Sequence, residues 1–198
     1  MPNRRDYFES FADEWDKMFT AGDLEILEFL INSIGVPVGS YVADLGCGTG
    51  ILFDLLRRHV GDTGLVVGVD FSSRMLLRAR QNFPFDNIVV VESNVEQLPF
   101  KTEVFDRAIS FASFAHFEHQ DHVVDEASRI LKTGGTFHII HLFSSKELEK
   151  HHQMAGGPVA NDHLPNRQRM QEIFEKGRFG EIKITDHPGL YVATGIKG

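Results

Sequence analysis

Between Val42 and Gly50 the chain reads VADLGCGTG, a carboxylate at Asp44 followed by glycines at 46, 48 and 50. Glycine lacks a Cβ, so such a loop turns tightly and lets backbone N–H groups come close to a ligand. The spacing G-x-G-x-G is one residue shorter than the dinucleotide pattern G-x-G-x-x-G, in which a helix N-terminus receives a pyrophosphate. Behind an acid, it better suits a ligand with an amino-acid end and no phosphates. Asp70 closes VVGVD twenty residues after Gly50. A carboxylate there can accept hydrogen bonds from both ribose hydroxyls, and N-capping of the next helix is its alternative role. In SNVEQLPF, Asn94 and Val95 offer an amide and a backbone N–H to the edge of an adenine ring. Phe71 and Phe111 either flank the faces of that ring or pack in the core. Cys47 has no cation or base beside it in sequence and reads as a small filler, not a nucleophile.

The chain holds ten histidines. Three follow apolar runs that look like strands: His116 and His119 in FASFAHFEHQ, and His141 at the end of GTFHIIH. An imidazole can take a proton from a hydroxyl, amine or thiol near neutral pH, and His116 and then His141 are the first choices for such a base. His138 falls on the opposite sheet face from His141 by strand alternation. The segment from His151 to His163, with His151, His152, Asp162 and His163, reads as a solvated loop or lid with a hinge at Gly156-Gly157-Pro158. Metal ligation is its alternative, although no recognised zinc spacing is present and no metal is expected.

Helices and strands must position these groups. Tyr7, Phe8, Phe11, Trp15 and Phe19 recur at steps of three and four and predict one aromatic helical stripe. It either packs on the sheet or roofs the site, since a cation is drawn to aromatic faces. Leu24, Leu27, Ile31 and Ile34 predict a second helix, stopped by Gly35 and Pro37. Five apolar strands then alternate with helices: 41–45, 65–70, 88–92, 105–111 and 135–142. Helices are expected near 51–59, 72–82, 121–131, 145–152 and 167–177, with final strands at 181–185 and 189–196 turning at Pro188-Gly189. Strands apolar on both faces and alternating with helices indicate a mainly parallel sheet covered on both sides. The expectation is an α/β, Rossmann-like three-layer fold. Its seven-stranded sheet carries an antiparallel C-terminal hairpin at one edge, and a short helical cap precedes it. A single domain over 1–198 divides into the cap at 1–36, a cofactor-binding core at 37–143 and a substrate-side region at 144–198. Ligands in such sheets bind beyond the carboxyl ends of the strands, where strand order reverses.

Of the 198 residues, 20 are Lys or Arg and 28 are Asp or Glu, giving a net charge of −8. Scattered basic residues disfavour nucleic acid as a partner. One cysteine excludes an internal disulfide framework. The charged N-terminus lacks an apolar signal region and no long apolar run is present, so a cytoplasmic protein with no membrane partner is expected, as monomer or homodimer.

DLGCGTG, VVGVDFSSRML, SNVEQLPF, FDRAISFASFAHF and LKTGGTFHIIH in succession resemble the motifs of class I S-adenosylmethionine-dependent methyltransferases. The similarity spans about residues 41–142 and is greatest to the small-molecule group that includes the ubiquinone and menaquinone biosynthesis enzymes. YFESFADEWD resembles the N-terminal helix of that group. The resemblance implies S-adenosyl-L-methionine as cofactor and a small molecule as methyl acceptor. It places Asp44, Gly46 and Gly48 at the methionine part, Asp70 at the ribose, and Asn94 with Val95 at the adenine edge. Many relatives carry Asp where this chain has Asn94, and an amide serves there as donor and acceptor. Cys47, Gly50, Phe71, Met75 and Phe111 complete the expected cofactor set; Tyr7, Phe11, Trp15 and His163 are expected on the substrate side. A nicotinamide-dependent oxidoreductase and a non-catalytic cofactor- or metal-binding module are the competing readings.

Overall fold

The computed structural model describes residues 3–198. Helix α1, Arg4–Phe11, starts where the Asn3 side chain accepts the Asp6 N–H. The aromatic stripe was expected to run on through Phe19, but α1 stops at Phe11 and Trp15–Met18 form a separate 3-10 turn. Between them Asp13 is drawn to Arg74 and Arg78, which bends the chain out of the helical path. Helix α2, Ala21–Ile34, opens on a reciprocal Thr20–Asp23 cap and ends at Gly35, whose φ of 66° is the left-handed conformation glycine tolerates. It buries Leu27 and Ile31 while Leu24 faces outward.

The strands are β1 Tyr41–Leu45, β2 Leu65–Asp70, β3 Ile88–Glu92, β4 Phe105–Phe111, β5 Leu131–His141, β6 Phe179–His187 and β7 Leu190–Lys197. They form one seven-stranded sheet in the order β3-β2-β1-β4-β5-β7-β6. All pairings from β3 through β5 are parallel, and β7 runs antiparallel to both its neighbours. The C-terminal β6–β7 hairpin occupies one edge of the sheet, as expected, with β7 paired to β5 and β6 outermost. Helices α3 (Phe53–Val60) and α4 (Ser73–Asn82) pack with α2 on one face, over Val42, Val66, Ile109 and Ile140. Helices α5 (Gln120–Ile130) and α7 (Arg167–Lys176) cover Ala43, Ala108, Phe137 and Ile139 on the other. Helix α6, Ser145–Ala155, follows β5.

From β1 the chain builds outward to β2 and β3, then returns to place β4 on the other side of β1. That reversal opens a crevice beyond the carboxyl ends of β1 and β4. Close packing near it depends on Gly68 in β2, where an added Cβ would meet the Phe53 ring and come within 2.8 Å of Cys47 Sγ. Overpacking of a tight core costs about 1–3 kcal/mol. Gly68→Ala is therefore expected to lose about 1–3 kcal/mol in urea denaturation. Gly180→Ala, whose Cβ would enter open space, should stay within about 0.5 kcal/mol of the wild type.

Candidate functional site

The loop after β1 folds back over the end of β2. Gly46 and Cys47 donate their N–H groups to the Val69 carbonyl at 2.8 and 3.0 Å, and Gly48 donates to Asp70 Oδ2 at 2.9 Å. Gly50 donates to the Cys47 carbonyl at 2.9 Å. The N–H groups of Gly46, Cys47 and Gly48 thus go to the end of β2 and that of Gly50 stays within the loop, so these groups are not free to cradle a phosphate. Glycine at 46 is demanded by contact: φ is 77° and a Cβ would lie 2.6 Å from the Ser113 side chain. Ser113 in turn donates to the Leu45 carbonyl at 2.9 Å, joining the ends of β1 and β4.

Asp44 and Asp70 are both buried here. Asp70 Oδ1 accepts the Ser72 N–H at 2.9 Å, and Ser72, not Asp70, caps α4 by accepting from Met75. Burial pushes the Asp70 carboxyl up to about 6, held back by the N–H groups of Ser72, Gly48 and Phe71. Asp44 Oδ2 is buried with no partner. Burial, and secondarily the charge of Asp70, push Asp44 up to about 8. Burial likewise raises the Cys47 thiol, with Asp44 and Asp70 adding to the effect, so it is a protonated filler. Two buried acids with one orphan oxygen favour a cationic ligand, since only a nearby positive charge offsets their desolvation.

Three adjoining chambers occupy the crevice. The central one, about 50 Å³, is lined by Gly46, Cys47, Gly48, Asp70, Phe71 and Met75, with Phe8, Trp15, Phe19, Phe111, His116 and Phe117 closing it. Small-molecule sites usually run to roughly 300 Å³ or more, so the central chamber is a junction between its larger neighbours and not a complete site by itself. The second, about 300 Å³, continues past Asp70 and Phe71 to Asn94, Val95 and Phe117. There Asn94 Oδ1 accepts the Glu96 N–H at 2.9 Å, leaving its NH₂ group as the free end. The third, about 320 Å³, is lined by Trp15, Met18, Phe19, Phe111, Leu142 and Phe143, together with His116, His141, His151 and His152. Its lining has no lysine or arginine and one acid, Asp23. His116 lines all three chambers.

Several expected positions shift. Phe111 lies against Phe19, ring centres 5.5 Å apart, away from the Asn94 chamber, so Phe117 rather than Phe111 faces Phe71 there. Tyr7 and Phe11 pack on one another at 5.0 Å and line none of these chambers; Phe8 and Trp15 do. Gly50 also stands outside them, its missing Cβ making room for Phe53. His163 is exposed and donates Nδ1–H to the Asn161 carbonyl at 2.8 Å, so it does not reach the site. His119 is likewise exposed, against His122. His141 is buried, its Nε2 has no partner, and burial with the charges of His116 and His152 lowers it to about 3. It therefore lines the third chamber as a neutral group and is a poor proton acceptor. His138 points elsewhere, bonded to Thr136 and Thr194. His151 stacks on Phe143 while His152 donates Nδ1–H to the Asp162 carbonyl at 2.7 Å, so the expected lid segment is pinned. Among the described residues no three His, Cys, Asp or Glu side chains gather as a metal site. The aromatic roof weighed in the sequence is present at Phe8 and Trp15, whereas Phe117 and Arg4 were not singled out and Asp162 was considered only within the 151–163 segment. Phe117 stands next to His116 in FASFAHF, the segment already singled out; Arg4 and Asp162 reach the site only by long-range packing.

A family model described as "Methyltransferase domain" matches residues 43–139. The ubiquinone/menaquinone biosynthesis C-methyltransferase UbiE of Haemophilus ducreyi is 30% identical over 178 residues, covering 82% of this chain and 68% of that one. The 2-phytyl-1,4-naphtoquinone methyltransferase of a Nostoc strain is 39% identical over 109 residues, 53% of this chain and 48% of its own length. A SAM-dependent methyltransferase from Aquifex aeolicus superposes with a TM-score of 0.74 at 18% identity, over 94% of this chain and 98% of its own, which shows a shared fold. The chain spans about half the length of the first curated relatives it matches.

The raised Asp44 carboxyl has a measurable consequence. Its value of about 8 in the folded protein lies above its ordinary 3.8, so its contribution to stability is complete below pH 4 and is lost as pH rises to 8. The histidines with lowered values, His138 at about 4 and His141 at about 3, act only below their ordinary 6.5. Between pH 6.5 and 8, unfolding free energy should therefore fall by up to about 1.4 kcal/mol per pH unit through Asp44. Urea titrations across that window should show this slope in the wild type and its loss in Asp44→Asn.

Proposed function

The chain belongs to the class I S-adenosylmethionine-dependent methyltransferase family, and from that premise we propose that it transfers the cofactor's methyl group to a small, largely apolar acceptor. One observation carries the reading: the buried, unpartnered Asp44 oxygen lies near Asp70, which lines a crevice that meets, at His116, an apolar chamber. S-adenosylmethionine supplies a methyl activated by its sulfonium, and its positive charges suit the two acids. In this reading Asp44 holds the ammonium-bearing end and Asp70 turns its remaining lone pairs to the ribose. Asn94 and Val95 meet the adenine edge, with Phe71 and Phe117 against its faces. Phe8 and Trp15 present aromatic faces to a cation in the central chamber and keep water out. Alignment in a dry site supplies up to about 7–11 kcal/mol of a displacement barrier.

The third chamber supports the acceptor class. Walls of Phe19, Phe111, Leu142 and Leu148 with no lysine or arginine disfavour phosphorylated or polyanionic acceptors. The Nostoc and Haemophilus relatives are named for quinone substrates and quinone biosynthesis, which fits a flat ring of that kind. The nicotinamide reading loses support from the occupied N–H groups of the glycine loop. In calorimetry S-adenosylhomocysteine should bind and NAD should not. Asp70→Ala should weaken that binding by about 1–3 kcal/mol, the range for lost hydrogen bonds to a charged group. Tight NAD binding, or no binding of either nucleoside, would remove the proposal.

A further inference from the structure

Resting on the methyl-transfer reading above, we propose that Asp162 is the positioning residue of a general-base pair with His116, fastened by Arg4, and that the acceptor is therefore a hydroxyl-bearing aromatic ring. His116 Nδ1 lies 2.7 Å from Asp162 Oδ2. An ionised carboxylate can only accept, so Nδ1 carries the hydrogen and Nε2 keeps a lone pair. The other carboxylate oxygen takes the Arg4 guanidinium at 2.6 Å, and Arg4 also donates to the His116 carbonyl. Asp162 is 8% exposed, and its main chain is tied down as well. Its carbonyl accepts from His152 at 2.7 Å, and its N–H reaches the Val159 carbonyl at 2.9 Å. Val159, 1% exposed, is seated among Phe8, Ala12 and Met75. The 156–166 loop is thus held across α1 with one carboxylate turned to His116. A loop serving only to cover the crevice would not need a buried acid aimed at an imidazole.

The groups facing His116 are few. Arg4 comes from α1, His152 from α6 and His141 from β5, while Tyr7 of α1 is near Asp162; Asp70, Glu96 and Glu118 share one chamber that His116 lines, and Asp23 and His151 share another. Burial keeps His141 and His152 low, so His116 is the imidazole with an anionic partner. The step balances simply. The hydroxyl proton passes to His116 Nε2, and the freed electron pair bonds the methyl carbon at oxygen or at the adjoining ring carbon. The methyl–sulfur bond breaks with its pair left on sulfur. In the carbon case the ring proton returns to the oxygen. One proton is released, and the positive charge moves from sulfur to an imidazolium beside Asp162.

The experiment pairs a spectroscopic readout with turnover. In ¹⁵N-labelled protein saturated with S-adenosylhomocysteine at pH 8, His116 should show Nδ1–H and an unprotonated Nε2, and Asp162→Ala should shift it toward Nε2–H. With 2-naphthol and 1,4-naphthohydroquinone as probes, His116→Gln should lower kcat about 100-fold and Asp162→Ala about 10- to 100-fold. KM and cofactor affinity should change much less than kcat, since the proton transfer is realised in the transition state. Asp162→Asn, which keeps an acceptor for Nδ1–H, covers the case of a misfolded alanine variant and should retain the tautomer with a smaller loss. An Nε2–H tautomer in the wild type, an unchanged kcat in both Asp162 variants, or methylation of 2-naphthylamine but neither hydroxyl probe would overturn the pair. Loss of S-adenosylhomocysteine binding by the wild type would instead defeat the methyl-transfer reading itself.

Discussion

Two carboxylates buried at the ends of neighbouring strands organise everything around them. β1 and β2 pair in parallel with Asp44 opposite Gly68, and Asp70 sits two residues further along β2. Desolvating an acid is costly unless hydrogen bonds or a cation offset it. Asp70 obtains N–H partners by drawing the glycine loop and the start of α4 onto itself, at Gly48 and Ser72. Asp44 receives no such partner on Oδ2. The protein therefore carries a buried acid with one unpartnered oxygen close to Asp70, which lines the crevice. Glycine at 46 follows from the same constraint, because a Cβ there would meet Ser113, and Gly48 adopts a left-handed φ of 53°.

Around that centre the wall is assembled from distant parts of the chain. Helix α1 contributes Phe8 and the turn after it Trp15, and β4 leads into Ser113 and His116. The loop after α6 returns to place Asp162 between Arg4 and His116. A partly buried ion pair of this kind contributes little to net stability once desolvation is counted. Its effect is geometric: it fixes which helix and which loop meet over the crevice. The apolar third chamber and the chamber past Asn94 both reach His116, so the imidazole stands where the two meet.

Much of this was legible from residue order. The strand bounds at Tyr41–Leu45, Leu65–Asp70, Ile88–Glu92 and Phe105–Phe111 are those the apolar runs indicate, because buried parallel strands are apolar on both faces. Asp44, Gly46, Gly48 and Asp70 could be singled out because the turn and the acids are local features. The aromatic stripe misled. Its periodicity is helical, yet Asp13 is pulled to two arginines of α4, so the helix breaks and Phe8 and Trp15 turn inward while Tyr7 and Phe11 do not. Phe111 was assigned to the wrong chamber because alternation along a strand gives its face but not what crosses that face. His163 and His152 stand only eleven positions apart with equal claims in the sequence, and packing left one exposed and the other buried.

By itself, the order of amino acids determined the layered sheet, the crevice at its strand ends and the two acids that mark it, since each depends on periodicity or spacing within a few residues. Only the tertiary structure decided that the glycine loop's N–H groups are already used, that Asp44 is left with an orphan oxygen, and that Asp162 reaches His116. The physical reason is separation along the chain: Arg4, His116 and Asp162 meet across 112 and 158 positions. No local pattern encodes a meeting that exists only once the sheet has brought its edges and ends together.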